Sequence, residues 1–326
     1  MVAVVVPLLA LMVSSAAVSG ASVAAASSKA TLPAGCSSAH PLVGVALPNT
    51  VNPYYIAMRQ SFLTNGTKDG FTVKVAIADD SDSIQLSQID AFIQQHVCAV
   101  VLNAVDSGPG ATMVSTLDKA GIPVITVNVI VSQATLNAEH ASDLEYVGPN
   151  QVQGGEIIGR MVLNALGGKS KIVAGIVGDP EQVPTNERDQ GFKETLSTDP
   201  NAKVVATVNG LVEPSVSLTV ATDMMEGNPS MNVIFADTGP AAVGTIEAIK
   251  GLHKVGKVSL FAFCAASTKL DKTVYRGCVA QQPVTYAQIA LQNMKTYLAG
   301  KTIPKLIQLK VASYMPGQTP PYGEVG

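Results

Sequence analysis

Charge is scarce in this chain. Only 14% of residues are Asp, Glu, Lys or Arg, and the formal net charge is −3. That balance leaves no electrostatic footprint for nucleic acid and none for an anionic membrane surface. There is no tryptophan, and aromatic residues make up 5% of the chain. The catalytic signatures are missing as well. No G-x-S-x-G elbow occurs. The stretch Gly167-Gly168-Lys169-Ser170 ends like a phosphate loop, yet Leu163 stands where that motif needs its first glycine, and the stretch follows a helical segment instead of opening one. It reads as a helix C-cap. His40, His96, His140 and His253 share no ligand spacing with one another or with the cysteines. Cys264 has no base near it in sequence to activate it as a nucleophile. The expectation is therefore a binding protein, not an enzyme, with no cofactor and no metal.

What the chain does have begins with an apolar leader. Residues 2–13 are apolar and are followed by an Ala/Ser tract to Ser28. This is the shape of a secretory signal, expected over residues 1–28 with cleavage near Ala24-Ala25-Ala26, although no Lys or Arg precedes the run. The run is short of the roughly 20 apolar residues that span a bilayer. Four cysteines, Cys36, Cys98, Cys264 and Cys278, suit an oxidising compartment. They allow three pairings. The pairing chosen is Cys36–Cys98 with Cys264–Cys278, which puts one bridge in each predicted half. The second pair carries a geometric question, because Cys264 ends one predicted strand and Cys278 begins the next. Ala34-Gly35-Cys36 also resembles a lipoprotein cleavage site, with Pro33 where a Leu-like residue is expected. A lipid there would tether the chain, not make it span.

Beyond the leader, apolar β-rich runs alternate with segments of helical period. The runs are 42–47, 71–77, 98–103, 123–127 and 144–147. Helical segments at 53–66, 83–96 and 110–120 lie between them. In the segment 83–96, Ile84, Leu86, Ile89, Phe92 and Ile93 make an apolar face, with Gln85, Gln88, Gln94 and Gln95 polar. Continuous apolar runs joined by helical crossovers mean parallel sheets covered on both faces. The pattern restarts after Val147, with strands at 171–177, 203–208, 232–236, 258–263 and 278–281. Helices are predicted at 150–166, 186–196, 214–226, 240–252 and 285–298. A last strand near 305–311 could return to either half. The lobes are assigned as 40–147 plus 282–303, and 148–281 plus 304–314, with 315–326 as a loose tail. In the first half, Asn52 and Pro53 open a helix after the first strand. Tyr54 and Tyr55 then sit on its first turn, beyond the carboxyl end of a strand, where open parallel sheets bind ligands.

Several local pieces together resemble a known family. They are Asn52-Pro53-Tyr54-Tyr55, Leu102-Asn103-Ala104-Val105-Asp106-Ser107, and Gly121 through Asn128. Further on come Asn186-Glu187-Arg188-Asp189-Gln190-Gly191-Phe192, Phe235-Ala236-Asp237-Thr238, and Ala280-Gln281-Gln282-Pro283. Over residues 40–314 the chain resembles periplasmic sugar-binding proteins of the ribose-binding type, the solute-binding components of ABC importers. The resemblance implies the type I periplasmic binding protein fold: α/β, two Rossmann-like lobes with parallel sheets, joined by a three-stranded hinge. It implies ligand contacts at Asn52, Tyr54, Tyr55, Asn128, Asn186, Thr238, Cys264 and Gln281. Tyrosine faces suit the C–H faces of a sugar, and planar amides suit its hydroxyls.

The departures bear on the ligand. Where the family commonly has Asp-Arg after strand four, this chain has Asn128-Val129. Asn186 stands where an Arg is common, Cys264 where an Asp is common, and Thr238-Gly239 where Asn-Asp is common. The expected pocket is less charged than a ribose site, for a small neutral carbohydrate-like ligand. Adjacent Tyr54 and Tyr55 cannot both face one way, so one is expected to pack on its lobe. Asp106 and Asn186 have the alternative role of helix caps, and Arg188 reads as half of a surface ion pair. The function implied is an exported monomer in the periplasm or at the outer face of the membrane, delivering ligand to an ABC permease. The rival is a sensor on the same fold that delivers a signal molecule to a receptor. A lac-type repressor domain would need a basic helix-turn-helix where the apolar leader stands.

Overall fold

The computed structural model describes residues 33–166, 168, 171–180 and 182–326. The signal expected over 1–28 lies outside them. Through the first half, strand and helix alternate: β1 (Leu42–Leu47), α1 (Pro53–Asp69), β2 (Thr72–Ile77), α2 (Asp82–Gln94), β3 (Ala99–Leu102), α3 (Ser107–Lys119), β4 (Val124–Val127), the short α4 (Gln133–Ala138) and β5 (Glu145–Pro149). The second half runs α5 (Gln151–Leu166), β6 (Ile172–Gly178), α6 (Val183–Leu196), β7 (Ala202–Asn209), α7 (Pro214–Gly227), β8 (Val233–Ala236), α8 (Gly239–Gly251), β9 (Ser259–Phe263) and β10 (Tyr275–Ala280). Then come α9 (Pro283–Leu298), β11 (Leu306–Leu309) and β12 (Ala312–Tyr314).

The strands form two six-stranded sheets, in the orders β11-β5-β4-β3-β1-β2 and β12-β10-β9-β8-β6-β7. Every pairing is parallel except that of β12 with β10. Both faces of each sheet are covered, which explains why the strands read as continuous apolar runs. The first sheet packs Phe62 and Met58 of α1 and Leu291 and Met294 of α9 on one face, and Ile89 and Phe92 of α2 with Leu117 of α3 on the other. The second sheet packs Ile158 and Val162 of α5 and Phe192 of α6 on one face, and Met224 of α7 with Ile249 of α8 on the other. The chain passes between sheets three times, at Asn150, at Gln281-Gln282, and at Lys310-Val311.

The structure revises the sequence reading in four places. The segment 304–314 is split, with β11 joining the first sheet beside β5 and β12 joining the second beside β10. The tail 315–326 is docked, not loose. Val325 and Gln281 exchange two backbone hydrogen bonds (2.7 and 3.1 Å), and the Gly326 amide donates to the Cys264 carbonyl (2.9 Å). Its Pro/Gly-rich composition withholds regular structure but still leaves backbone groups that seek partners. On α2, Ile84 and Leu86 are exposed, while Gln85 is fully buried. The Gln85 amide donates to the Asn103 carbonyl and accepts from the Val105 amide, both at 2.9 Å, so it holds the loop after β3 in place. Finally, β10 begins at Tyr275, not at Cys278.

That last shift resolves the geometry of the second bridge. β9 and β10 are parallel, and Cys278 pairs in register with Ala262. Cys264 and Cys278 therefore meet near the carboxyl ends of both strands, with Cα atoms 5.0 Å apart, and are bonded. Cys36 and Cys98 are likewise bonded, Cα to Cα 4.6 Å. The first bridge ties the segment before β1 to the foot of β3.

A polar cavity between the lobes

The loops that follow β1, β4, β6 and β8 converge on one cleft, at the carboxyl ends of both sheets. The β1–α1 loop is shaped by two asparagines. The Asn49 side-chain oxygen accepts from the Val51 and Asn52 amides (3.1 and 2.9 Å), and its amide donates to both Asp80 oxygens (2.8 and 3.0 Å). Asn52 then caps α1 by accepting from the Tyr54 amide (3.0 Å), with Pro53 in the first turn. This fixes where the two tyrosines stand. Their rings are 5.2 Å apart and perpendicular. Both line the cavity, and Tyr54 also packs into the first-lobe core. The either-or expected for the pair is thus resolved by Tyr54 doing both.

Asn128 follows β4 with φ +61°, a left-handed conformation that asparagine tolerates better than most residues. Its amide donates to the Val147 carbonyl (3.0 Å), and its carbonyl accepts from the Tyr146 hydroxyl (2.9 Å). From the second lobe, Thr238 caps α8 by accepting from the Ala241 amide (3.2 Å). Gln281 occupies the second crossing between sheets. Together Asn52, Tyr54, Tyr55, Asn128, Thr238 and Gln281 line one small cavity of about 30 Å³. It shares Asn52, Tyr55, Gln182, Val212 and Gly326 with a wider cleft of about 710 Å³, so a small inner chamber adjoins a wider mouth.

Two of the expected residues, Asn186 and Cys264, do not line the cavity. Asn186 is exposed, and its amide donates to the Pro180 carbonyl; α6 starts at Val183, which turns Asn186 outward and excludes it as that helix's cap. Cys264 is buried in its disulfide and does not line the chamber. Asp106 occupies the N-cap of α3 without making a side-chain capping bond.

The residue that sequence reasoning missed is Arg188. It is 4% exposed and lines the cavity, while its neighbour Asp189 makes the ion pair with Lys193 (3.5 Å). The Arg188 Nε donates to the Gln151 side-chain oxygen and Nη1 to the Asp237 carbonyl, both at 2.7 Å. Its guanidinium lies 4.0 Å from the centre of the Phe263 ring. Burial lowers its pKa and the Asp237 carboxyl opposes that; an arginine remains charged throughout. The pocket is therefore not free of charge. One signal was available: Arg188 lies four residues before the core residue Phe192, on the same helix face. Gln182, Thr185, Val212 and Gly326 also line the cavity without any sequence cue.

Three residues that line the cavity each carry a buried side-chain oxygen with no hydrogen-bond partner among the described residues: the Tyr54 hydroxyl, Asn128 Oδ1 and Gln281 Oε1. Buried polar groups are ordinarily paired, so each of these three has a hydrogen bond still to make. Burial displaces three carboxyls upward, those of Asp106, Asp189 and Asp237. Burial raises Asp189 to about 6, opposed by Lys193. Burial, then a hydrogen bond with Asp82, raises Asp106 to about 6. Burial raises Asp237 further, with Asp189 adding to it. A carboxyl whose folded pKa exceeds its unfolded value contributes stability that is full below the unfolded pKa and is lost as pH rises through the folded one. Here the window runs from the ordinary value of 3.8 up to about 6. The ligand-free protein should melt higher at pH 5 than at pH 7.5. The double change Asp106→Asn, Asp189→Asn should flatten that slope. Scanning calorimetry across the window decides it, and a melting point that falls on acidification would count against these assignments.

Two lobes of parallel sheet closing on a polar chamber define a ligand-binding protein of the hinged, bilobal class. The family model described as periplasmic binding protein domain matches residues 43–302, and the chain belongs to that family. The ribose import binding protein of Bacillus subtilis is 28% identical over 268 residues, covering 81% of this chain and 84% of that one. Two solved structures share the fold. An ABC transporter periplasmic solute-binding protein from Actinobacillus succinogenes with bound D-allose has TM-score 0.76 at 23% identity, covering 84% of this chain and 97% of that one. The Caulobacter myo-inositol binding protein has TM-score 0.75 at 21% identity, covering 85% and 94%.

Proposed function

We propose that this protein is an exported solute-binding protein that captures a small, neutral, carbohydrate-like ligand between its lobes and delivers it to an ABC permease. The observation that carries this reading is that Tyr54, Asn128, Gln281 and Arg188 line one cavity between the lobes, and that the first three each carry a buried side-chain oxygen with no hydrogen-bond partner among the described residues. A polyhydroxylated ring offers hydroxyls to each of these and a C–H face to a tyrosine ring. The D-allose and myo-inositol bound by proteins of the same fold are ligands of this kind. A ligand that touches both lobes binds the closed arrangement better and shifts the open–closed equilibrium toward it. The protein works as a monomer in the periplasm or at the outer face of the membrane. Two disulfides suit that compartment, and among the described residues no helix is long and apolar enough to cross a membrane.

A thermal-shift screen of sugars, polyols and nucleosides tests the reading, because a ligand that binds only the native state raises its melting temperature. With the sugar so identified, Asn128→Ala and Gln281→Ala should each weaken binding by roughly 5- to 150-fold, with little effect on stability without ligand. Wild-type affinity in both variants would move the site elsewhere.

A further inference from the structure

Val325 and Gly326 enter the ligand cleft. Gly326 is buried and lines the inner chamber, and Val325 lines the wider mouth beside it. The segment touches both lobes. On the first-lobe side, Val325 packs against the core built by α1 and α9, and Gly323 turns with φ +87° close to the Val284 side chain. On the second-lobe side, the Gly326 amide donates to the Cys264 carbonyl at 2.9 Å. Between them, Val325 and Gln281 form a two-bond backbone bridge at the second crossing. Gln281 is itself a cavity residue, so the tail braces a ligand contact.

The fit leaves no spare room. A Cβ at position 326 would stand 2.3 Å from the Cys264 nitrogen and 2.5 Å from the Phe263 carbonyl carbon, both backbone atoms. A Cβ on Gly239, at the start of α8, would meet the Gly326 carbonyl oxygen at 2.8 Å. Glycine at both positions is what lets the tail lie against the end of β9.

We infer that Val325 and Gly326 form a wall of the binding site and clasp the two lobes in the closed arrangement. The tail shapes the chamber that the ligand fills and slows its escape. This inference rests on the reading of the cleft as a carbohydrate site.

The test compares the full chain with two variants, one lacking residues 325–326 and the other Gly326→Ala, whose added methyl must displace the tail. All three are titrated with D-ribose, D-allose and myo-inositol, after thermal melts establish that they fold. For any sugar that binds the full chain, both variants should bind about 10-fold or more weakly, chiefly through faster dissociation. Unchanged or tighter binding in the variants overturns the inference. If none of the three sugars binds the full chain, the carbohydrate reading loses its support, and amide hydrogen exchange on the full chain decides the clasp separately. Slow exchange at Val325 and Gly326 supports it; exchange at the rate of an unstructured chain overturns it.

Discussion

Arg188→Met is expected to cost the protein both its ligand and several kcal/mol of stability. The methionine keeps some of the aliphatic bulk and removes the fork that holds Gln151 and the Asp237 carbonyl. Each buried acceptor left without a donor costs about 1–3 kcal/mol, so the two together cost about 2–6 kcal/mol. The Phe263 face also loses the cation above it. Binding should weaken by about 100-fold or more, since a charged donor to a buried hydroxyl is among the stronger single contacts. Arg188→Lys should rescue little. A point charge on a flexible stem cannot hold both partners and stack on the ring at once. Urea denaturation and calorimetry with the sugar found by screening measure the two effects. Near-native values for both in the methionine variant would show that Arg188 is neither a ligand contact nor a support.

The second large effect is expected from the first disulfide. Cys36 and Cys98 are 62 residues apart in sequence. On the chain-entropy model, closing a loop of that length removes about 4 kcal/mol of freedom from the unfolded state, against about 3 kcal/mol for the shorter loop between Cys264 and Cys278. The double change Cys36→Ser, Cys98→Ser should lower the melting temperature by on the order of 10 °C while leaving affinity for ligand nearly intact. Both bridges lie outside the chamber wall, so binding should report folding alone. A melting point within about 2 °C of wild type would mean that the bridge closes over structure already present in the unfolded chain.

How far the chain could be read in advance follows from which interactions are local. β1 and α1 were legible because an apolar strand, an asparagine cap, a first-turn proline and two tyrosines follow one another within fourteen positions, 42–55, and each constrains the next. That Asn128 and Gln281 would line one cavity was legible because they follow strands at recognisable motifs. Arg188 was not, because its partners Gln151, Asp237 and Phe263 come from three other elements. Gln85 broke the apolar pattern of α2 for the same reason: it serves the loop at Asn103–Val105, which its own helix does not reveal. The tail read as loose because its order depends on Gln281 and Cys264, both far back in the chain.

The three crossings between sheets have a consequence for how the protein comes into being. When synthesis has reached Ala280, the first sheet still lacks β11 at its edge. The face of that sheet beside α1 also lacks α9, with Tyr286, Leu291 and Met294 among the side chains that will cover it. The second sheet lacks only β12. The first sheet therefore cannot seal its core when its own strands β1 to β5 have emerged, and the elements α9, β11 and β12, residues 283–314, are needed to complete both halves.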